Sequence, residues 1–249
     1  MEGAGKLKVS AGPNGVQRFR ALVGELGLPV ACLYLVHRIA VRLSRGRVRL
    51  VAYALYAQPI GSSGLTAMRE DPNSVVEAVV PSDDICASFP RPAHVITQRF
   101  ADQARCYVVR VKGSFGGHIW ISRDRHVEDE VRCQYVLAAP ELSAWDFDVY
   151  VEPRLRLGRT LARLWWHVDR SMATEGVRWS FSRISLFNSG SLGAHQRLGA
   201  VRVGTALFLV CGPAQLALLS NAPFVHGSWR AGPGPTITLT PPDRPHPLA

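Results

Sequence analysis

"DFDVYVEPRLRLGRTLARLWW", residues 146–166, changes period halfway along. Up to Val151 the apolar residues alternate with others, as in a half-buried strand; from Gly158 onward they recur at helical spacing. The joint, Pro153 to Arg159, holds three arginines and one glycine, with Glu152 as the nearest carboxylate. A helix that opens directly after a strand presents unpaired main-chain N–H groups in its first turn, and its dipole adds positive potential there. Such a turn suits a phosphate-sized anion, to which Arg154, Arg156 and Arg159 would add charge-assisted hydrogen bonds. An ordinary connection with its arginines in water is the alternative reading, because single glycine-containing turns are common.

Working outward, strands are expected at 47–57, 75–80, 106–113, 116–124, 131–137, 144–151, 177–185 and 201–210. Ser114-Phe115 is read as the turn of a hairpin between the third and fourth of these. Residues 16–44 carry helical periodicity broken at Gly27-Leu-Pro29, and further helices are expected at 92–102, at 158–174 before a Gly176 cap, and at 189–198 before Gly199. The longest apolar run, Val203 to Leu219, is interrupted by Gly212-Pro213 and reads as two strands and a turn, not a membrane span. This pattern predicts an α/β (α+β) fold with a mixed, mostly antiparallel central sheet flanked by helices. The expected divisions are a flexible leader (1–15), N-terminal helices with the first strands (16–104), a core (105–222) and a loose Pro-rich tail (231–249).

Composition narrows the function. Five cysteines, at 32, 86, 106, 133 and 211, are odd in number and contain no C-x-x-C pair. That argues against a disulfide framework or a zinc site and for reduced thiols in the cytoplasm. The N-terminal MEGAGKLKVSAGPNG lacks the apolar segment of a signal peptide. The net charge of +10 is almost wholly arginine, since lysine occurs only at 6, 8 and 112. Such a balance favours a phosphate-bearing ligand or other polyanion, although a GC-rich genome accounts for it equally. There is no basic tail, basic heptad or nucleic-acid-binding signature, which disfavours DNA or RNA as partner.

A second segment, "FNSGSLGAHQRLGAVRVG" (187–204), extends the pattern. The order of strand, arginine-glycine loop, helix, strand, then N-x-x-S-x-x-x-H-x-R-L-G resembles the GNAT superfamily of acyl-CoA-dependent N-acyltransferases. In that family V-x-P-x-x-R-G-x-G-x-G begins the pyrophosphate loop, and N-x-x-A-x-x-x-Y-x-x-x-G-F marks the later helix. Val151, Pro153 and Arg156 fall on the first motif; Asn188, Ser191, His195 and Gly199 fall on the second without gaps. The resemblance covers roughly residues 105–212. The chain departs from the pattern in carrying Arg159 and Leu161 where the family has glycine or alanine, His195 for the tyrosine and Ala200 for the final aromatic.

The resemblance implies a donor, acetyl-CoA or another acyl-CoA, an amine-bearing acceptor, and no metal. It implies two strands that splay beside the loop, with the pantetheine arm pairing along Phe147–Val151. The donor-binding residues it implies are Val149, Val151, Arg156, Leu157, Gly158, Arg159, Thr160, Leu161, Asn188 and Ser191. His195 takes the place of the family's tyrosine acid, and imidazole both donates and accepts protons near neutral pH. For the base, Glu130 and Asp148 are candidates. Asp146 and Asp148 alternate on one strand and are expected to face one side, where they bind the amine, take its proton through water, or pair with a core arginine such as Arg183. Trp165-Trp166-His167 and His118 read as core or pocket-wall residues, and Cys106 and Cys133 as small apolar fillers. A binding module that keeps the fold without the chemistry is the rival reading, and the oligomeric state is left open, a homodimer included.

Overall fold

The computed structural model describes residues 15–61, 71–230 and 232–243. Two helices, α1 (Gly15–Leu26) and α2 (Leu28–Leu43), are separated at Gly27, whose φ of 77° suits glycine, with Pro29 in the first turn of α2. They lead into β1 (Val48–Pro59), β2 (Ser74–Val79), α3 (Ala93–Ala101), β3 (Arg105–Val111), β4 (Ser114–Ser122), β5 (Arg125–Val127), β6 (Gln134–Leu137) and β7 (Ser143–Val151). Then come α4 (Thr160–Thr174), β8 (Trp179–Ser185), α5 (Ser189–Arg197), β9 (Val201–Cys211), β10 (Ala214–Leu219), β11 (Val225–Trp229) and β12 (Thr236–Leu239).

Nine strands form one sheet in the order β11-β10-β9-β1-β8-β7-β4-β3-β2, antiparallel except where β7 meets β8. The mixed, mostly antiparallel sheet expected from the sequence is thus present. One face carries α4, whose Leu164, Trp165, Val168 and Met172 pack on Ile119, Ile121 and Ala144, and α5, whose Leu192 meets Ala54, Tyr56 and Ile184. The opposite face is covered by α3 and by a second, three-stranded sheet, β12-β6-β5. Tyr135 of β6 stacks on Trp145 of β7 with ring centroids 4.4 Å apart, which joins the two sheets.

Three expectations change. The β3–β4 turn lies at Lys112-Gly113, both with positive φ (51° and 76°), so Ser114 and Phe115 belong to β4. β1, assigned to an N-terminal extension, sits in the middle of the sheet between β8 and β9 and is buried from Val51 to Gln58. The tail is not uniformly loose: Thr236–Leu239 pairs in parallel with β6, and Ile237 and Leu239 are buried in the main core, because its T-I-T-L alternation supplies two apolar side chains to one face. Of the expected leader, residues 1–14 lie outside the described residues. Ile237→Ala should therefore lower unfolding free energy by about 2–4 kcal/mol in urea denaturation, the usual cost of a large-to-small change at a fully buried position.

Candidate functional site

β7 and β8 run side by side only over Ser143–Trp145 and Trp179–Phe181. Beyond that point β7 stays paired with β4 and β8 with β1, so the edges of β7 and β8 that face each other separate into a fork. Asp148 marks the change: its φ is 46°, and the β4–β7 register shifts between His118 and Trp120. A bulge of this kind turns a strand and redirects side chains. It sends Asp148 to the face of His118, while Asp146 keeps the opposite face, with Ser180 and Ile121. The expectation that both carboxylates face one side is corrected accordingly.

The fork opens into a cleft of about 1600 Å³. On the α4/α5 side its wall is Gly158, Leu161 and Trp165, then Asn188, Ser191 and His195. On the other side stand Arg91 and Arg99 near α3, His126 of β5, and Glu128 and Asp129 of the loop after it. Asp146, Phe147, Asp148, Val149, Ser182 and Arg183 line the fork itself.

At the foot of α4 no side chain caps the helix, and the first main-chain bond into it runs from the Arg163 N–H to the Arg159 carbonyl. The N–H groups of residues 160–162 have no main-chain acceptor among the described residues. Gly158 has neither a positive φ nor a crowded neighbourhood, an added Cβ meeting only the Leu155 carbonyl at 3.4 Å. Its backbone is thus exposed beside the cleft without any fold requirement for glycine. Arg156 donates from Nε to the Val151 carbonyl at 3.0 Å and lies over the Tyr150 ring, so it braces the turn as well as lining the cleft. Leu157, Arg159 and Arg154 are exposed, Thr160 is buried at the start of the helix, and Val151 is buried at the end of β7. Asn188 caps α5 by accepting the Ser191 N–H at 3.0 Å.

Of the proposed catalytic residues, His195 is brought to the cleft beside Trp165, ring centroids 6.3 Å apart. Burial lowers its pKa, which keeps the imidazole neutral at pH 7, and its Nδ1 is buried without a hydrogen-bond partner. Asp148 also reaches the cleft, but its carboxylate is held by Arg99, by Arg91 (Nε to Oδ2, 2.9 Å) and by a long 3.4 Å contact with His118 Nε2. Burial alone would raise the Asp148 pKa; the His118, Arg91 and Arg99 groups outweigh it and hold the carboxyl well below the ordinary range. The pairing expected for these aspartates is real at Asp148, with Arg99 and Arg91 as its partners. Arg183 instead binds Glu128 through two hydrogen bonds of 2.6 Å. Glu130 does not enter the cleft: it hydrogen-bonds to Tyr53 and lines a separate depression with Arg49. The loop turns between these residues, sending Glu128 to Arg183 of β8 and Glu130 to Tyr53 of β1.

Asp146 stands apart. It is fully buried at the base of the fork, accepts one hydrogen bond from Ser180 Oγ at 2.7 Å, and has no ion-pair partner among the described residues. Burial raises its pKa to about 7, against the lowering effect of the Ser180 bond. Sequence reading named it only jointly with Asp148, and no local signal separates the two. His126, whose pKa burial lowers to about 4, escaped that reading because a lone histidine on a short strand carries no pattern.

No family model matches the chain, and no curated protein does. Solved structures align with it at low identity. One is a functionally unknown conserved protein from Staphylococcus epidermidis, at 13% identity and TM-score 0.47, with 82% of this chain and 69% of that one covered. Another is a GCN5-related N-acetyltransferase from Kribbella flavida, at 14% and 0.38, covering 67% and 61%. A third is a tandem GNAT protein from the clavulanic acid biosynthesis pathway, at 13% and 0.45, covering 64% and 53%. The chain spans less than two thirds of the latter two proteins. The chain's own geometry is a parallel pair that splays apart, with a strand–turn–helix beside it.

Because the folded pKa of Asp146 lies above the unfolded value near 4, the native chain binds an extra proton between about pH 4 and pH 7, and stability falls as pH rises through that window. Asp146→Asn should then stabilise the chain by on the order of 1–3 kcal/mol at pH 8 and hardly at all at pH 4, as read by urea unfolding at the two pH values.

Proposed function

We propose that the chain is a GNAT-type acyltransferase that moves an acetyl or longer acyl group from coenzyme A to the amine of a small molecule, sugar or peptide. The observation that carries this reading is the open β7 edge ending at the uncapped start of α4. An extended donor arm can pair with the main chain of Phe147–Val151, while its pyrophosphate meets the N–H groups of residues 159–162. Arg154 and Arg159 are exposed beside that turn and supply further charge. The Asn188 side-chain amide and Ser191 close the donor side. The thioester carbonyl then falls at the base of the fork, and the amine approaches from the side of Arg99, His126 and Asp129.

In the reaction the amine nitrogen attacks the carbonyl carbon, the C–N bond forms and the C–S bond breaks. Asp146 takes the proton shed by the amine, in preference to Asp148, whose carboxylate is engaged by arginine, and to Glu130, which lies outside the cleft. His195, as a neutral imidazole, donates a hydrogen bond to the departing sulfur, and the proton collected by Asp146 restores the thiol. A base with a pKa near the working pH gives the largest effect.

Isothermal titration with acetyl-CoA and longer acyl-CoAs should give saturable heat with at least one of them; no heat with any of them overturns the assignment. With a donor and amine in hand, turnover should rise with pH through about 7 as Asp146 ionises. Asp146→Asn should lower kcat on the order of 100-fold and flatten that rise. The double variant Asn188→Ala/His195→Ala should lower turnover by about tenfold or more in the same assay, and undiminished rates would exclude both residues from the site.

A further inference from the structure

Among the described residues, the face of the main sheet that carries α4 and α5 is left without a helix over β9, β10 and β11. Pairing sets the side chains on that face in rows: Cys211, Ala214 and Trp229; Leu209, Leu216 and Gly227; Leu207, Leu218 and Val225. The opposite face of the same strands is core, through Phe208, Ala206 and Ala217. Yet Trp229 is 62% exposed, Val225 61% and Leu218 45%. A sheet apolar on both faces ordinarily has a layer on each.

α2 presents the converse. It runs beside β1, the neighbour of β9, and is fastened there by the Leu50 N–H donating to His37 Nδ1 at 3.2 Å. Its far side shows Leu28, Leu35, Val36, Ile39 and Leu43 to solvent, spaced as one helical stripe, with Leu43 80% exposed. A helix lacks a sheet, and a sheet lacks a helix, in the same molecule. The short turn at Ser44–Arg47 ties α2 to β1 and keeps it from covering its own β9–β11 face.

We propose that a second copy of this chain covers both surfaces at once, in a two-fold dimer in which each protomer's α2 stripe lies on its partner's β9–β11 face. The exchange is reciprocal, as a two-fold interface requires: the same pair of surfaces is offered and received by both chains. Area supports it. The exposed parts of the five α2 residues together with Leu216, Leu218, Val225 and Trp229 amount to roughly 700 Å². Taken together, the two surfaces approach the roughly 800 Å² per partner of a stable interface. The surfaces lie outside the cleft, so the dimer stands or falls independently of the acyltransferase reading.

Sedimentation equilibrium of the full chain at micromolar concentration tests it. The wild type should show twice the 27.3 kDa chain mass. Ile39→Asp and Leu218→Asp, each on one of the two surfaces and each solvent-exposed in the free chain, should separately return the mass to that of one chain with far-UV circular dichroism unchanged. A monomeric wild type overturns the proposal, whether or not it then binds vesicles of anionic lipid, which would assign the face to a membrane surface. A dimer that survives either substitution also overturns it, because both surfaces must meet in the reciprocal arrangement.

Discussion

The site depends on one residue held in an unfavourable backbone conformation. Asp148 adopts φ 46°, which costs a non-glycine residue about 1–2 kcal/mol. Its carboxylate is gripped by Arg99 and Arg91, with His118 Nε2 3.4 Å away. Arg99 in turn lies over the stacked Trp120 and Phe147 rings, with its guanidinium 5.3 and 5.2 Å from their centroids, and also holds Asp129. Such a cluster fixes the bulge, and the bulge lets β7 diverge from β8. Removing Asp148 would leave the buried Arg99 with only the exposed Asp129 as partner, and removing Arg99 would leave Asp148 to Arg91 alone.

This assigns the acidic residues around the cleft two different roles. Glu128 and Asp148 are neutralised by arginine and serve as structure; they fix where β7, β8 and the β5 loop stand relative to one another. Asp146 has no ion-pair partner among the described residues and a serine hydroxyl as its side-chain partner. In the proposed reaction Asp146 is therefore the proton acceptor, since a fully compensated carboxylate has no reason to take a proton near neutral pH. The arginine excess has a matching division, with Arg91, Arg99 and Arg183 consumed internally and Arg154 and Arg159 left in solvent beside α4.

Most of the architecture was legible because period and punctuation agree along the chain. The alternation of 144–151, the helical spacing after Gly158 and the Gly176 and Gly199 stops place β7, α4 and α5 within two residues of their observed ends. β12 was hidden because four residues flanked by Pro-rich sequence give no long-range signal; only the parallel partner β6 makes them a strand. The site was legible where it rests on local geometry, at the start of α4 and at Asn188, which caps α5. It was not legible where a bulge decides it. Period-two alternation assigns Asp146 and Asp148 to one face, and the left-handed turn that separates them arises from Arg99, forty-nine residues away.

The loop's departures from glycine can be judged on the same footing. Arg159 and Leu161 would obstruct an anion only if their side chains covered the N–H groups of the first turn. Side chains on a helix lean back toward its N-terminus but radiate from the axis, while the free N–H groups point along it. Leu157 is fully exposed and Arg159 is exposed at the cap position, so both extend into solvent, and Leu161 forms part of the cleft wall. What the missing glycines remove is closeness of approach along the flank of the turn; what remains is the set of main-chain donors at its end. In the proposed reading, a ligand here is held by the start of α4 and by the guanidinium groups around it, and the contribution of Arg154 and Arg159 is the part that added salt would screen.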